Sequence, residues 1–248
     1  MKSKIMASAS KVGRRKKIKR YSKIALLIIL LLLLLFYIIS GIIYNNGNFS
    51  ITLDRNLYFD RGLIIYDDPE YKVFRTELYA KSLEYFDNIS YKWLPKDLHE
   101  SEGGSHNGNN YMAYTFYIEN QGDLTTDYWS EIVIDDVIKN VDEAVRIRVY
   151  LNDEEVTYAK AAYDGSPEPN TIPFVSDTLI AFEHVENFKP GDCNKYTIVM
   201  WLEGSDLECT DNLLGGEIKI HMNFVSEIVE LEGEGKYARE QKTTWKAY

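Results

Sequence analysis

The run IALLIILLLLLLFYIISGIIY, Ile24 to Tyr44, holds no charged residue and constrains the chain more than any other feature. Its 21 residues span about 31 Å as a helix rising about 1.5 Å per residue, the thickness of a bilayer's hydrocarbon core. Ten Lys or Arg and no acid fill the first 23 residues: Lys2, Lys4, Lys11, Arg14, Arg15, Lys16, Lys17, Lys19, Arg20 and Lys23. Positive charge flanks the cytoplasmic side of a span. The expected topology is therefore a basic cytoplasmic tail (1–23), a transmembrane helix (24–44) and everything later outside the cell. A cleaved signal peptide has a shorter apolar core, about 7–15 residues, and a small-x-small cleavage site. Only Ser40 and Gly41 are small here and no A-x-A follows, so a retained signal anchor in the cell membrane is expected.

Removing that segment leaves 18 Lys or Arg against all 38 acids, a net charge near −20 for residues 45–248. Such a domain repels nucleic acid and anionic lipid. Calcium, basic partners or plain solubility suit it.

Beyond the anchor, short strand-like runs recur between Gly, Asn, Asp and Pro, as in an all-β sandwich. Strands are expected near 50–57, 61–67, 76–84, 111–119, 128–138, 144–151, 155–161, 177–184, 195–203 and 216–225. In VRIRVYL, Val145, Ile147, Val149 and Leu151 alternate with outward Arg146, Arg148 and Tyr150, and Asn152-Asp153 turns it into a hairpin. Ile218, Ile220, Met222 and Phe224 alternate in the same way. YTIVMWL, Tyr196 to Leu202, is apolar on both sides, so both of its faces are expected to be covered. A single helical turn fits near 68–76. The domain limits are 45–225 for an antiparallel β-sandwich and 226–248 for a tail or an added edge strand.

The chain has no HExxH, CxxC, GxSxG or glycine-rich phosphate loop, and neither catalytic nor cofactor-binding residues are assigned. His99 and His106 fall in the polar loop 97–110, and His221 on an outward strand face. The spacing of His184 and His221 gives no support to zinc. Calcium candidates are Asp206, Glu208 and Asp211 in the loop after YTIVMWL, with Asp67, Asp68 and Glu70 as a second acidic set. Neither has the ligand spacing of a known calcium loop, so the 203–216 loop is expected to be a connector. Gly204, Gly215 and Gly216 would turn it, Leu213 and Leu214 would plug the sandwich end, and Asp206→Ala with Asp211→Ala would leave stability nearly unchanged. Cys193 and Cys209 flank one strand of about 30 Å, too far apart to bridge, and are expected as free thiols. Acids beside Cys209 disfavour a nucleophilic thiolate. Asn48-Phe-Ser50 and Asn88-Ile-Ser90 match the glycosylation pattern.

Three segments carry a family resemblance: NNYMAYTFYIENQGD (109–123) with its Asn-x-Gly-Asp turn, NFKPGDCNKYTIVMWLEG (187–204), and LLGGEIKIHMNF after the acidic loop. Over roughly 105–225 the chain resembles the TasA/camelysin group of Gram-positive surface proteins. The resemblance implies a jelly-roll sandwich displayed outside the cell, in some members a subunit of biofilm-matrix fibres. Family precursors generally lose a signal peptide, whereas this chain is expected to keep its anchor. The metalloprotease label attached to camelysin transfers no residue here, and no enzyme activity is expected. The resemblance also implies an N-terminal strand exchanged between fibre subunits. Phe49 to Asn56 is the equivalent, and a tether of at most ~18 Å leads to the expectation that it pairs within its own sandwich. The expected function is an anchored structural protein of the cell surface or biofilm matrix, partnered by the bilayer and by itself or other surface proteins. The alternative is an anchored carbohydrate- or peptide-binding sandwich using Trp93, Trp129 or Trp201.

Overall fold

From Ile24 onward the side chains are apolar with no charge to solvate, which favours the one conformation that satisfies its own backbone in lipid, and Tyr21–Ile38 forms helix α1. Its mean hydropathy is 2.5 and none of it is buried by the rest of the protein. It is long and apolar enough to cross a membrane. The computed structural model describes residues 21–38, 49–83, 87–226 and 244–246, in two units, Met1–Asn46 and Gly47–Tyr248. Residues 39–44 of the expected span, and Asn48, lie outside the described residues.

The second unit is an all-β sandwich. One sheet comprises β1 (Phe49–Leu53), β3 (Glu77–Tyr79), β6 (Thr126–Ile138), β10 (Leu179–Phe188), β12 (Glu217–Val225) and β13 (Thr244–Lys246), in the order β13-β10-β6-β12-β1-β3. The other holds β2 (Leu63–Tyr66), β5 (Tyr111–Asn120), β7 (Val145–Leu151), β8 (Glu154–Ala159), β9 (Ile172–Pro173) and β11 (Cys193–Leu202), in the order β2-β5-β11-β7-β8-β9, with β4 (Gly104–Ser105) also on β5. Most pairs are antiparallel. Three are parallel: β1 with β12, β8 with β9, and β10 with β13.

Alternation places the core. On β12, Ile218, Ile220, Met222 and Phe224 are buried between exposed or half-buried neighbours. Phe224 meets Phe116 and Tyr196 of the facing sheet edge-to-face at 5.9 and 5.3 Å. A polar bridge crosses the same core: Asn194 Nδ2 donates to the Tyr128 hydroxyl at 2.8 Å, which lies 3.1 Å from that of Tyr196. Burying these hydroxyls is tolerable because they satisfy one another.

β1 lies inside its own sheet, Ile51 opposite Met222 on one side and Leu78 on the other, with Phe49, Ile51 and Leu53 buried. The expected strand 50–57 stops at Leu53 because the Asp54 carboxylate accepts the Asn56 N–H at 2.6 Å and caps a short helix, α2 (Arg55–Phe59). The expected helical turn is one α-turn, Lys72 N–H to the Asp68 carbonyl at 2.9 Å. In the Asn-x-Gly-Asp turn, Asn120 Nδ2 reaches the carbonyls of Leu124 and Phe188, each at 2.9 Å, and the turn then needs Gly122: a Cβ there would sit 2.0 Å from the Arg61 carbonyl oxygen.

Candidate functional site

The unbroken apolar run of β11 is explained by a second layer. Its odd-numbered side chains, Val199 and Trp201, face away from the sandwich core, beside Ala113 of β5 and Tyr150 of β7. Leu94 and Leu98, from the irregular segment before β4, cover them. Half of this outer face is thus roofed, and the other half forms the floor of a cleft of about 310 Å3. Tyr91, Glu168 to Thr171, Glu203, Ser205 and Asp206 line it.

Two arginines of β7 lie on that floor. The alternation that turns them out of the main core is correct, but Arg146 is not in solvent: 3 % of it is exposed. Its guanidinium bonds the Asp206 carboxylate, whose side chain is fully buried, and Glu168 Oε2 at 3.0 Å. Arg148 donates from Nε to Thr157 Oγ1 at 2.9 Å and rests over the Trp201 ring at 5.4 Å. Glu203 accepts from the Trp201 indole N–H at 3.0 Å and from the backbone N–H groups of Tyr91 at 2.9 Å and Ser205 at 3.2 Å. Burial alone would raise its pKa, and the donors of Ser205, Trp201 and Tyr91 outweigh burial and bring it below the ordinary carboxylate value. For Asp206, burial and a hydrogen bond shared with Glu208 push the pKa up against the pull of Arg146. Glu208 moves down, chiefly through the hydrogen bond that it shares with Asp206.

These facts correct the connector reading of the 203–216 loop. Asp206 is half of a buried ion pair, and removing it strands a charge. Nor do Leu213 and Leu214 plug the sandwich end: Leu213 is half-buried and Leu214 is 62 % exposed.

Of the calcium candidates, Asp206 and Glu208 come together with Glu168, one carboxylate oxygen from each within 4.8 Å of the others. Asp211 lies outside this group and opens a 3-10 turn, Asp211–Leu213. A cation here would share Asp206 and Glu168 with the Arg146 guanidinium, which already bonds both. The acids at 67–70 serve structure instead: Asp67 accepts from the Tyr114 hydroxyl at 2.8 Å, and Asp68 caps the N–H groups of Glu70 and Tyr71.

His184 and His221 pair with Trp129 and Val133 across opposite edges of β6. Four residues along a strand separate them by about 13 Å, too far for a common ion. His184 stacks on Trp129 at 3.8 Å, and His221 Nδ1 lies 2.7 Å from Asp135. His99 stacks on Tyr150, and His106 is held between the carbonyls of Gly104 and Leu98. Both cysteines are free, with burial the leading cause that raises each thiol's pKa. For Cys209 the charges of Asp206 and Glu203 add to it. Of the three candidate tryptophans, Trp201 lines the cleft. Trp93 is exposed and Trp129 belongs to the other sheet. Asn88 is exposed, its amide oxygen against Gly204.

Sequence reasoning missed Arg146, Glu168, Glu203 and Tyr91. One signal pointed to them: the doubly apolar β11 requires a cover on its second face, and Arg146 and Arg148 share that face.

No protein-family model and no curated protein matches the chain. Among solved structures, the β-glucosidase of Kluyveromyces marxianus in complex with glucose is similar at 12% identity and a TM-score of 0.25, over 67% of this chain. The match spans 15% of that enzyme's length, a likeness too slight to speak to fold or activity.

Proposed function

We propose that the chain is a membrane-anchored, non-enzymatic β-sandwich protein of the cell surface, its sandwich outside and its basic N-terminus in the cytoplasm. The observation that carries this reading is α1, an apolar helix with no face buried by the protein, preceded by nine cations with a tenth, Lys23, in its first turn. An apolar helix of this length is stable in water only if something covers it, and lipid is the cover that fits its length. The resemblance of residues 105–225 to the TasA/camelysin group supports a structural role at a Gram-positive surface or in a biofilm matrix. No catalytic role is assigned, because Arg146, Trp201 and backbone donors of the chain already hold Asp206, Glu168 and Glu203 in the cleft. Flotation and protease shaving of intact cells test the reading. The chain should float with membranes and lose fragments from residues 49–225 to external protease. A chain that stays in the soluble fraction, or is digested only after lysis, refutes it.

The cleft favours a second reading, an anchored binding module for a carbohydrate or peptide. Tyr91 offers a ring on its wall, and Glu155, Asn170 and Thr171 offer polar groups within it. Under that reading Tyr91→Ala and Thr171→Ala abolish binding to a glycan or peptide array without lowering Tm. An array with no ligand sinks it.

A further inference from the structure

We infer that the end of the sandwich at which β1 begins lies against the lipid surface, with Leu207, Leu214, Ile138 and Tyr163 as its apolar contacts. This contact depends on the proposed anchor and is additional to it.

Strand register gathers the elements of that end. Phe49, the first residue of β1, lies opposite Ile220, and Glu217, at the start of β12, lies opposite Ile138 at the end of β6. The connection 139–144 carries the chain from β6 into β7, and 203–216 carries it from β11 into β12. The two meet, since the Glu203 N–H donates to the Ala144 carbonyl at 2.9 Å and Lys139 Nζ bonds the Leu214 carbonyl. The turn after β8 joins them, its Tyr163 N–H donating to Glu208 Oε1 at 3.2 Å. One group of loops therefore caps this end of both sheets. On it Leu207 is 92 % exposed, Tyr163 98 % and Leu214 62 %, with Ile138 43 % exposed beside them.

The tether decides which end meets the membrane. From Tyr44, the expected end of the span, the chain reaches Phe49 in at most ~18 Å. The strand residues from Ile220 back to Glu217 put about 10 Å of sandwich between Phe49 and the capping loops. Those loops are thus within reach of the bilayer. Phe59 and Leu124 are exposed as well, but they follow the far ends of β1 and β5. Single apolar side chains in water are ordinary. At the end held beside a bilayer, leucine, isoleucine and tyrosine are the residues that the boundary between headgroups and acyl chains takes up.

Charge narrows the choice of lipid. Asp135, Asp136, Asp164, Asp177, Asp211 and Glu217 are exposed at this end, against Lys139 and Lys219. The contact is therefore apolar rather than electrostatic, and neutral headgroups suit it better than anionic ones.

The full chain in phosphatidylcholine vesicles with nitroxide-labelled headgroups tests this, in a Cys193→Ala, Cys209→Ala background. A fluorophore on Asn212→Cys reports the capping loops. One on Leu124→Cys reports the opposite end, the length of β5 or about 30 Å away. Quenching should be strong on Asn212→Cys and near zero on Leu124→Cys. Leu207→Asp with Leu214→Asp should bring the first down to the second and leave Tm unchanged, because both side chains are exposed. Replacing part of the lipid with phosphatidylserine should also weaken the quenching. Equal quenching at both ends, none on Asn212→Cys, or a signal that the aspartates or phosphatidylserine fail to lower would each overturn the inference. Comparing the two ends in the parent chain decides even if the aspartate variant fails to fold. A chain that floats with the vesicles but is not quenched refutes this contact alone, whereas one that fails to float refutes the anchor and the contact with it.

Discussion

At the scale of single residues, the decisive group is Arg146. A guanidinium buried away from water needs acids around it, and the fold supplies Asp206 and Glu168. Removing one partner of a buried pair typically costs about 3–5 kcal/mol, because the other charge is left behind. Asp206→Ala should therefore lower Tm by many degrees, while Asp211→Ala, on an exposed turn, should change stability by less than about 0.5 kcal/mol. Thermal melts of the two single variants check this, and equal small shifts would refute the buried pair. Glu203 gives a pH signature. Its folded pKa lies below the ordinary value of 4.5, so its charge stabilises the fold at neutral pH, and that contribution disappears as pH falls through the lowered pKa. The Tm gap between the parent chain and Glu203→Gln should be full above about pH 5.5 and close in acid, since both then carry a neutral group. A gap unchanged down to pH 3 would contradict this. Little at this scale was legible in the sequence. Glu168, Arg146 and Asp206 are far apart along the chain, and alternation says which face a side chain takes but not what covers that face.

At the scale of elements, the sequence was far more readable. Every expected strand exists: β12 buries alternate residues, and β7 and the second half of β11 are rich in apolar side chains and buried almost throughout. Pairing was less legible. Alternation is blind to direction, and nothing in Phe49 to Leu53 announces a parallel partner more than 160 residues away. The helix α2 escaped because its signal is one capping carboxylate, Asp54, at the end of an apolar alternation. β1 is an interior strand, so its removal uncovers β12 and β3 together. Ile51, fully buried, should cost about 2–5 kcal/mol when changed to Ala, and a denaturant melt will show it as a fall in midpoint. A neutral Ile51→Ala would mean that β1 is an ornament on a complete sandwich.

At the scale of the whole molecule, charge and hydropathy divide the chain into three: a basic tail, an apolar helix and an acidic sandwich. This division was plain from the sequence because it needs no long-range contact. The proposed medium of each segment suits its composition: cytoplasm for the cations, lipid for α1 and water for a sandwich with an excess of acid. The central claim is that these segments stay joined, since a cleaved helix would release the sandwich. Intact-mass spectrometry of the chain extracted from the membrane fraction tests this most directly. The account predicts a single species that retains residues 1–44 and the whole sandwich. A mass beginning after the apolar run, recovered from the medium, would contradict it.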